Sequence, residues 1–269
     1  MPDLPIKPTS PGLRIIRVLR LACHVLQAMI ITAAVFPFLS AAQRRVRVRR
    51  FSRQLLGILA VRLKVSGEAP RAQDLPAMLV ANHVSWLDIF AINAAHAMRF
   101  VAKAEIRGWP VIGWLCAQAG TLFIERAQRR HTVNINQQMA AGLRSGDTFA
   151  IFPEGIITSG DILLPFHASL LQPALECGAQ LFPVAIRYTR ADGTLCYEAD
   201  YVGAKTLVDS LRLMLTQPVI HVHLQFLPPI TVDSRHRREL ALSAETVIAA
   251  ALNLPAPPQR TRKTGGPAA

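Results

Sequence analysis

The sequence contains an uncharged segment that is long enough to cross a lipid bilayer. Between Arg20 and Arg44, 23 consecutive residues include no Lys, Arg, Asp or Glu. As an α-helix this segment would extend about 35 Å, which exceeds the roughly 30 Å thickness of the hydrocarbon layer. It is longer than the apolar part of a typical signal peptide, and basic residues dominate both of its flanks. We therefore expect a membrane anchor that stays part of the protein; the alternative is a buried core helix.

A dense arginine cluster follows the uncharged segment. Six of the ten residues from Arg44 to Arg53 are arginine, and the apolar residues after them are too few to span a bilayer. This pattern predicts a helix in the headgroup layer, with the leucine and isoleucine side chains of residues 55–59 in the hydrocarbon. Residues 1–64 are therefore predicted to form an N-terminal membrane-embedded helix pair, either spanning or re-entrant. The alternative for the second helix is a solvated basic helix.

The formal net charge of +13 is concentrated in the same region. Residues 1–64 hold 12 Lys and Arg against one acidic residue, whereas residues 65–269 hold 18 against 16. Because the denser basic cluster follows the anchor, we expect the body on the cytoplasmic face of the inner membrane. The cluster lacks interleaved aromatic residues, so anionic membrane lipids are its expected partner and nucleic acid is not.

Short apolar runs alternate with helical patterns after the basic cluster. The predicted strands lie at 62–66, 77–81, 99–103, 121–125, 148–152, 180–188 and 220–227. The predicted helices lie near 86–95, 110–118, 131–144, 167–177 and 235–252. This alternation predicts an α/β fold, with a mostly parallel or mixed sheet flanked by helices. We expect one folded domain at 65–254 and a disordered, Pro-rich basic tail at 255–269.

The sequence lacks the residue spacings that common cofactor sites require. Its four cysteines form no CxxC pair, and no HExxH or similar cluster has metal-ligand spacing. A GxSxG nucleophile elbow, a Walker loop and a GxGxxG fingerprint are absent as well. We therefore expect neither a metal nor an organic cofactor.

Four polar residues interrupt the apolar pattern at the ends of predicted strands. His83, Lys103, Arg126 and Glu154 each end a different strand or closely follow it. In open α/β sheets, ligands bind beyond the carboxyl ends of the strands. If these four strands are parallel neighbours, a base, two cations and a carboxylate come together at one edge of the sheet.

His83 and Asp88 are the candidates for catalytic chemistry. Within one helix their side chains would point about 140° apart, so they can meet if His83 precedes the helix and folds back over its first turn. Ser85 would then be the N-cap and Asp88 the N3 residue. Asp88 would hold one imidazole nitrogen and leave the other to act as a general base. The alternative is a capping carboxylate beside an ordinary loop histidine.

With these residues the chain resembles the glycerolipid and lysophospholipid acyltransferase family, typified by 1-acyl-sn-glycerol-3-phosphate acyltransferases. The matching blocks, in order, are NHVSWLD at 82–88, VAKAE at 101–105, GTLFIER at 120–126, FPEG at 152–155 and FPVAI at 182–186. The blocks cover roughly residues 75–190, and the N-terminal membrane helices fit the usual layout of the family. The resemblance implies that residues 65–254 form an acyltransferase catalytic domain.

The resemblance also implies a reaction. His83 would deprotonate the free hydroxyl of 1-acyl-glycerol-3-phosphate, which would attack an acyl thioester to give phosphatidic acid, a step of phospholipid biosynthesis. Asp88 would orient the imidazole. The lysolipid would be the acceptor and acyl-CoA or acyl-carrier protein the co-substrate, with no covalent acyl-enzyme and no cofactor.

For the remaining candidates the resemblance implies roles in substrate binding. Lys103 and Arg126 would bind the lysolipid phosphate. Glu154 and Gly155 would shape the acceptor pocket. The alternatives are a surface charge for Lys103, a salt bridge for Arg126 and a structural carboxylate for Glu154.

One departure from the family pattern concerns the acceptor. The family usually continues Phe-Pro-Glu-Gly with Thr-Arg, whereas this chain has Ile156 and Ile157. A cation expected near the phosphate is missing, so the acceptor could instead be another lysolipid such as lyso-ornithine lipid. A lipid hydrolase and a non-catalytic lipid-binding protein are the alternatives of a different class.

Overall fold

A computed structural model describes residues 8–125, 129–203, 205–232, 236–255 and 257 of the protein. Arg126 lies outside the described residues. So does the predicted tail at 255–269, apart from residues 255 and 257.

Seven strands form one sheet, and all seven were predicted from the sequence. They are β1 (Val61–Ser66), β2 (Ala77–Ala81), β3 (Arg99–Lys103), β4 (Leu122–Ile124), β5 (Phe149–Ile151), β6 (Gln180–Thr189) and β7 (Ile220–Phe226). Each bound lies within one residue of the prediction, because short apolar runs between polar segments define buried strands well.

Eight α-helices accompany the strands within the described residues. They are α1 (Pro11–Ala34), α2 (Ala41–Ile58), α3 (Asp88–Ala95), α4 (Ile112–Gln118), α5 (Arg129–Arg144), α6 (Gln172–Cys177), α7 (Leu207–Met214) and α8 (Arg237–Leu252). The sequence did not predict α7, a short helix that begins with a capping box between Thr206 and Asp209.

The sheet is mixed, with the strand order β1-β7-β6-β2-β5-β3-β4. The pair β6 and β7 is antiparallel, and all other neighbouring strands are parallel. The strands β2, β5, β3 and β4 are thus adjacent and run in the same direction. Their carboxyl ends meet at one edge, as the prediction of a common site required.

Helices cover both faces of the sheet. The core on one face joins Leu79 and Val222 to side chains of α2 and α3. The core on the other face joins Met78 and Val80 to side chains of α5, α6 and α8. All five residues of β2 are buried, because a central strand between two layers of helices has no solvent face. The mixed α/β architecture of the prediction is confirmed.

Helix α1 lies largely on the surface of the body. Its most apolar stretch of 18 residues has a mean hydropathy of 1.6, and 17% of that stretch is buried, so by length and composition it could cross a membrane. Arg17 attaches the first half of the helix to the body, because its guanidinium donates to the carbonyl oxygens of Gln217 and Pro218 at 3.1 and 3.0 Å. This exposure does not fit a buried core helix.

Helix α2 corrects part of the prediction for residues 1–64. It begins at a capping box between Ser40 and Gln43, but its last turns pack into the core. Leu55 and Leu56, expected in the hydrocarbon of the bilayer, are only 3% and 2% exposed. They are buried because α2 lies on α3 and continues directly into β1. The described residues therefore contain one candidate anchor, α1, and a membrane-embedded pair is not shown.

The arginines of α2 have partners in the protein. Arg49 and Arg53 both donate to the carbonyl oxygen of Ala94, at the end of α3. Cations are favourable there because the C-terminal end of a helix carries partial negative charge. Part of the basic cluster thus stabilises the packing of α2 on α3.

Candidate active site

His83 and Asp88 are in direct contact. The imidazole Nδ1 lies 2.8 Å from the Asp88 Oδ2, in the loop that connects β2 to α3. His83 precedes the helix and folds back over its first turn, as predicted. The helix begins at Asp88 with Leu87 as its N-cap, so the assignment of Ser85 as N-cap was wrong. Residues 86 and 87 form a turn first, and this turn delays the start of the helix.

The Asp88 carboxylate organises this loop. Its Oδ2 also accepts hydrogen bonds from the backbone N–H groups of Val84 and Ser85, at 2.8 and 3.0 Å. The side chain is completely buried, so these donors offset the cost of removing the charge from water. The loop is thereby held in the conformation that brings the imidazole over the carboxylate.

Tyr188 completes the shell around Asp88. Its hydroxyl donates to the Asp88 Oδ1 at 2.8 Å, from a position near the end of β6. Burial, together with the negative charge of Asp88, holds the pKa of Tyr188 well above its usual value of 10.0, so the hydroxyl stays protonated. Tyr188 was not among the residues predicted from the sequence. The only available signal was a tyrosine inside a strand that is otherwise mostly apolar.

The His83 ring has one occupied and one accessible side. It stacks on Phe152, with the ring centroids 4.0 Å apart and the planes 11° from parallel. Because the carboxylate accepts from Nδ1, the Nε2 atom is the one left to exchange a proton with a substrate. The side chain is 17% exposed, so solvent reaches the ring. An imidazole held by a carboxylate and open on its other side can act as a general base.

Glu154 binds the backbone of the same loop. Its Oε1 accepts from the N–H of His83 at 2.7 Å, and its Oε2 accepts from the N–H of Leu164 at 2.9 Å. Burial raises the pKa of this carboxyl to about 7, although the two backbone N–H donors oppose the rise. Gly155 follows at a φ of 84°, a conformation that glycine adopts without strain.

The segment after Gly155 binds the other side of His83. The N–H of Thr158 donates to the His83 carbonyl oxygen at 2.8 Å. Ile156 is exposed and Ile157 is half-buried, and this pair lies between Glu154 and Thr158, which both bind backbone atoms of His83. Substitutions in this pair therefore act close to the site.

Asn82 joins the start of the loop to β6. Its side-chain amide donates to the carbonyl oxygen of Ile186 at 3.0 Å and accepts from the N–H of the same residue at 2.8 Å. The side chain is buried, and both of its polar groups are satisfied. The amide thus continues the sheet by one residue and fixes the position from which His83 departs.

The two predicted phosphate-binding residues have no described contact with His83 or Asp88. Lys103 ends β3 at the same sheet edge, with an exposed side chain. Arg126 cannot be compared, because it lies outside the described residues. A cavity of about 160 Å³ lies next to the site and is lined by Phe152, Pro153 and His167 among others. The described residues contain no group of three or more His, Cys, Asp or Glu that could hold a metal ion.

Comparison with known proteins agrees with the motifs. The sequence model of the family described as "Acyltransferase" matches residues 62–187, which include His83, Asp88 and Glu154 and end one residue before Tyr188. A lyso-ornithine lipid O-acyltransferase of Pseudomonas aeruginosa is 42% identical over 210 residues, which cover 78% of this chain and 80% of that protein. The chain belongs to the acyltransferase family.

Other members extend the comparison. A 1-acyl-sn-glycerol-3-phosphate acyltransferase of Neisseria meningitidis is also 42% identical to this acyltransferase, over 61% of the chain and 64% of the relative. The crystal structure of the 1-acyl-sn-glycerophosphate acyltransferase PlsC from Thermotoga maritima aligns with a TM-score of 0.65 and 22% identity, over 89% of this chain and 96% of that one. That likeness establishes a shared fold.

Proposed function

We propose that this acyltransferase transfers a fatty acyl group from a thioester to the free hydroxyl of a lysolipid, with His83 as general base. The observation that carries the proposal is the 2.8 Å contact between His83 Nδ1 and Asp88 Oδ2, with the other ring nitrogen left for the substrate. No nucleophilic side chain is required, so transfer is direct.

The reaction needs one proton to move twice. The Nε2 atom of His83 removes the hydroxyl proton while the lysolipid oxygen attacks the thioester carbonyl. A C–O bond forms, the C–S bond breaks, and the imidazolium returns the proton to the leaving thiolate. A positioned base of this kind contributes about 10² to 10⁴ in rate.

Asp88 and Tyr188 support the histidine in this mechanism. The buried carboxylate stabilises the imidazolium that forms when His83 takes the proton, as the aspartate of a hydrolase triad does. Tyr188 fixes the carboxylate from the far side through its hydroxyl. We assign Glu154 to positioning, because both of its oxygens hold backbone N–H groups of the site. Gly155 permits the turn that follows it.

Lyso-ornithine lipid is the acceptor we favour. The 42% identical relative with that name aligns over 80% of its length, against 64% for the relative named for 1-acyl-glycerol-3-phosphate. Ile157 stands where the family pattern has an arginine, which fits an acceptor without a phosphate monoester. The second candidate is 1-acyl-glycerol-3-phosphate, which would give phosphatidic acid. The exposed Lys103, together with Arg126, favours that acceptor as a phosphate partner.

The proposal also includes the acyl donor and the location of the enzyme. Acyl-CoA or acyl-carrier protein supplies the thioester, and no cofactor takes part. Helix α1 attaches the enzyme to the cytoplasmic face of the inner membrane, which brings the catalytic domain to its lipid acceptor. The catalytic domain then consists of the sheet and the helices that cover it.

A turnover assay with matched histidine variants tests the catalytic proposal. We expect His83→Ala to lose at least a hundredfold in kcat, whereas His221→Ala, a half-buried histidine on β7, keeps the wild-type rate. Donor without acceptor should release little free fatty acid, which separates a transferase from a hydrolase. Near-normal turnover of His83→Ala would refute the assignment, and lysolipid binding without thioester consumption would favour a binding protein.

A head-to-head assay of the two lysolipids tests the acceptor. We expect a higher kcat/KM for lyso-ornithine lipid. Because a charge-assisted hydrogen bond is worth about 1.5 to 3 kcal/mol, Ile157→Arg should raise kcat/KM for 1-acyl-glycerol-3-phosphate about tenfold or more. Ile162→Arg is the control, because this exposed isoleucine lies outside the matching block. A wild-type preference for the phosphate acceptor would reject lyso-ornithine lipid.

A further inference from the structure

A groove of about 500 Å³ separates α1 from α7, on a part of the molecule that the catalytic mechanism does not use. Its walls come from the first half of α1 and from α7 with the turn that follows it. Most of the lining side chains are aliphatic, and two are arginines. The lining includes Arg14, Ile15 and Leu19 of α1 and Arg212 and Leu213 of α7.

The groove is a fixed feature of the fold. Arg17 lies on the same helix turns as the α1 wall and donates to two carbonyl oxygens directly after α7. The N–H of Thr9 adds a backbone hydrogen bond to the carbonyl oxygen of Thr216 at 2.8 Å. These three bonds connect the N-terminal half of α1 to the segment after α7 and so define the spacing of the two walls.

Several aliphatic side chains of the groove are exposed in the part of the chain that the structure describes. Ile15 and Leu19 on α1 are 61% and 60% exposed, and Leu213 on α7 is 39% exposed. Contiguous exposed aliphatic surface of this kind marks a contact with another apolar phase. On the same helix the surface continues into the stretch that is long enough to cross a bilayer. A hydrocarbon chain in a bilayer is therefore the apolar partner that this surface fits.

The two arginines give the groove a positive charge. Among the described residues, Arg14 uses only its Nε in a hydrogen bond, to the carbonyl oxygen of Thr9 at 2.8 Å. The Arg212 side chain is 77% exposed, and its nearest carboxylate oxygen, on Asp209, is 4.0 Å away. Guanidinium groups bind phosphate through paired N–H donors. An aliphatic groove with guanidinium groups in its lining is complementary to a lipid with an anionic headgroup.

We propose that this groove binds one anionic phospholipid of the bilayer, with an acyl chain along Ile15 and Leu213 and the phosphate between Arg14 and Arg212. The proposal is independent of acyl transfer, since the groove shares no residue with the site. It has a consequence for that site nevertheless. Ser210 of α7 accepts a hydrogen bond from the indole of Trp86 at 3.1 Å, so the lipid rests on the helix that supports the loop of His83.

A binding measurement on the full-length enzyme in neutral detergent tests the proposal. Phosphatidylglycerol and phosphatidylcholine are added in turn, and bound lipid is counted by native mass spectrometry. We expect one phosphatidylglycerol per chain, held at least tenfold more tightly than phosphatidylcholine. Arg212→Gln should weaken phosphatidylglycerol about tenfold, while Arg238→Gln, the same change on an exposed position of α8, should leave it unchanged.

Several results would overturn the proposal. Equal affinity for the two lipids, or equal binding by the two glutamine variants, would remove the anionic site. Competition by glycerol phosphate as strong as that by the intact lipid would leave a phosphate site without an acyl chain. Association of two chains over the groove would assign the surface to a second copy. Turnover is measured on the same samples, so a failure of the proposed reaction is seen separately from a failure of lipid binding.

Discussion

Replacing Tyr188 with phenylalanine removes one hydroxyl group from the site and leaves the aromatic ring in place. That hydroxyl lies 2.8 Å from the Asp88 Oδ1, and both side chains are buried. A hydrogen bond to a charged group contributes about 1.5 to 3 kcal/mol to stability, so we expect the free energy of unfolding to fall by about 2 kcal/mol. The three donors at Oδ2 remain, and the loop should keep its conformation.

The same change should alter catalysis in a defined direction. With one hydrogen-bond donor fewer, the Asp88 carboxylate is less neutralised by its own partners. It therefore stabilises the protonated form of the His83 imidazole more strongly. The acidic limb of the profile of kcat/KM against pH should therefore move to higher pH. We expect kcat to fall about tenfold through looser orientation of the imidazole. KM should stay constant, because Tyr188 has no contact with the substrate in the proposed mechanism.

Cys196→Ala is the matched control for this experiment. Cys196 is buried next to Tyr188, because its backbone N–H donates to the Tyr188 carbonyl oxygen at 3.1 Å. Removing the thiol disturbs the packing around Tyr188 and leaves the hydrogen bond to Asp88 in place. Initial rates between about pH 5 and 9 and urea unfolding are measured for both variants. If Tyr188→Phe loses stability but keeps the rate and the pH profile of the wild type, the hydroxyl has only a packing role and the reasoning fails.

Three further changes test other contacts. The folded protein holds the Glu154 proton up to about pH 7, whereas the unfolded chain releases it near pH 4.5. The free energy of unfolding should therefore fall by up to about 3 kcal/mol as pH rises through this interval. In urea titrations at several pH values, Glu154→Gln should lack this dependence on pH. Asn82→Ala leaves the buried N–H and C=O of Ile186 unpaired, so the free energy of unfolding in urea should fall by more than about 1 kcal/mol. A smaller loss would contradict a structural role for these two hydrogen bonds. Arg17→Met should release α1 from the body, which limited proteolysis would detect as faster cleavage before residue 11, with turnover in detergent unchanged.

The sequence predicts the sheet of this protein well because the signals are local. The central strands β2 and β5 are short apolar runs with every residue buried between the two layers of helices, so burial and sequence pattern coincide. The contact between His83 and Asp88 was predictable for a similar reason. Asp88 follows His83 by only five positions, and the geometry of a helix start restricts how they can meet.

The parts that the sequence did not predict depend on contacts between distant segments. Tyr188 is separated from Asp88 by 100 residues, and no pattern within β6 marks the hydroxyl as a ligand of that carboxylate. Leu55 and Leu56 follow an arginine cluster that resembles a surface helix, and only the packing of α2 on α3 distinguishes core from bilayer. The family resemblance implied a role in the acceptor pocket for Glu154, and only the folded structure shows that both of its oxygens accept from backbone N–H groups of two loops.

The burial of α2 has a practical consequence for protein engineering. A shortened enzyme that begins after residue 64 would lose the leucines that cover one face of the sheet, and most of β1, the edge strand paired with β7. Such a chain would expose aliphatic surface and an unpaired strand, and we expect it to aggregate. Truncation for detergent-free work should stop just before Ser40, so that the capping box with Gln43 still starts α2 and the catalytic fold keeps its own first helix.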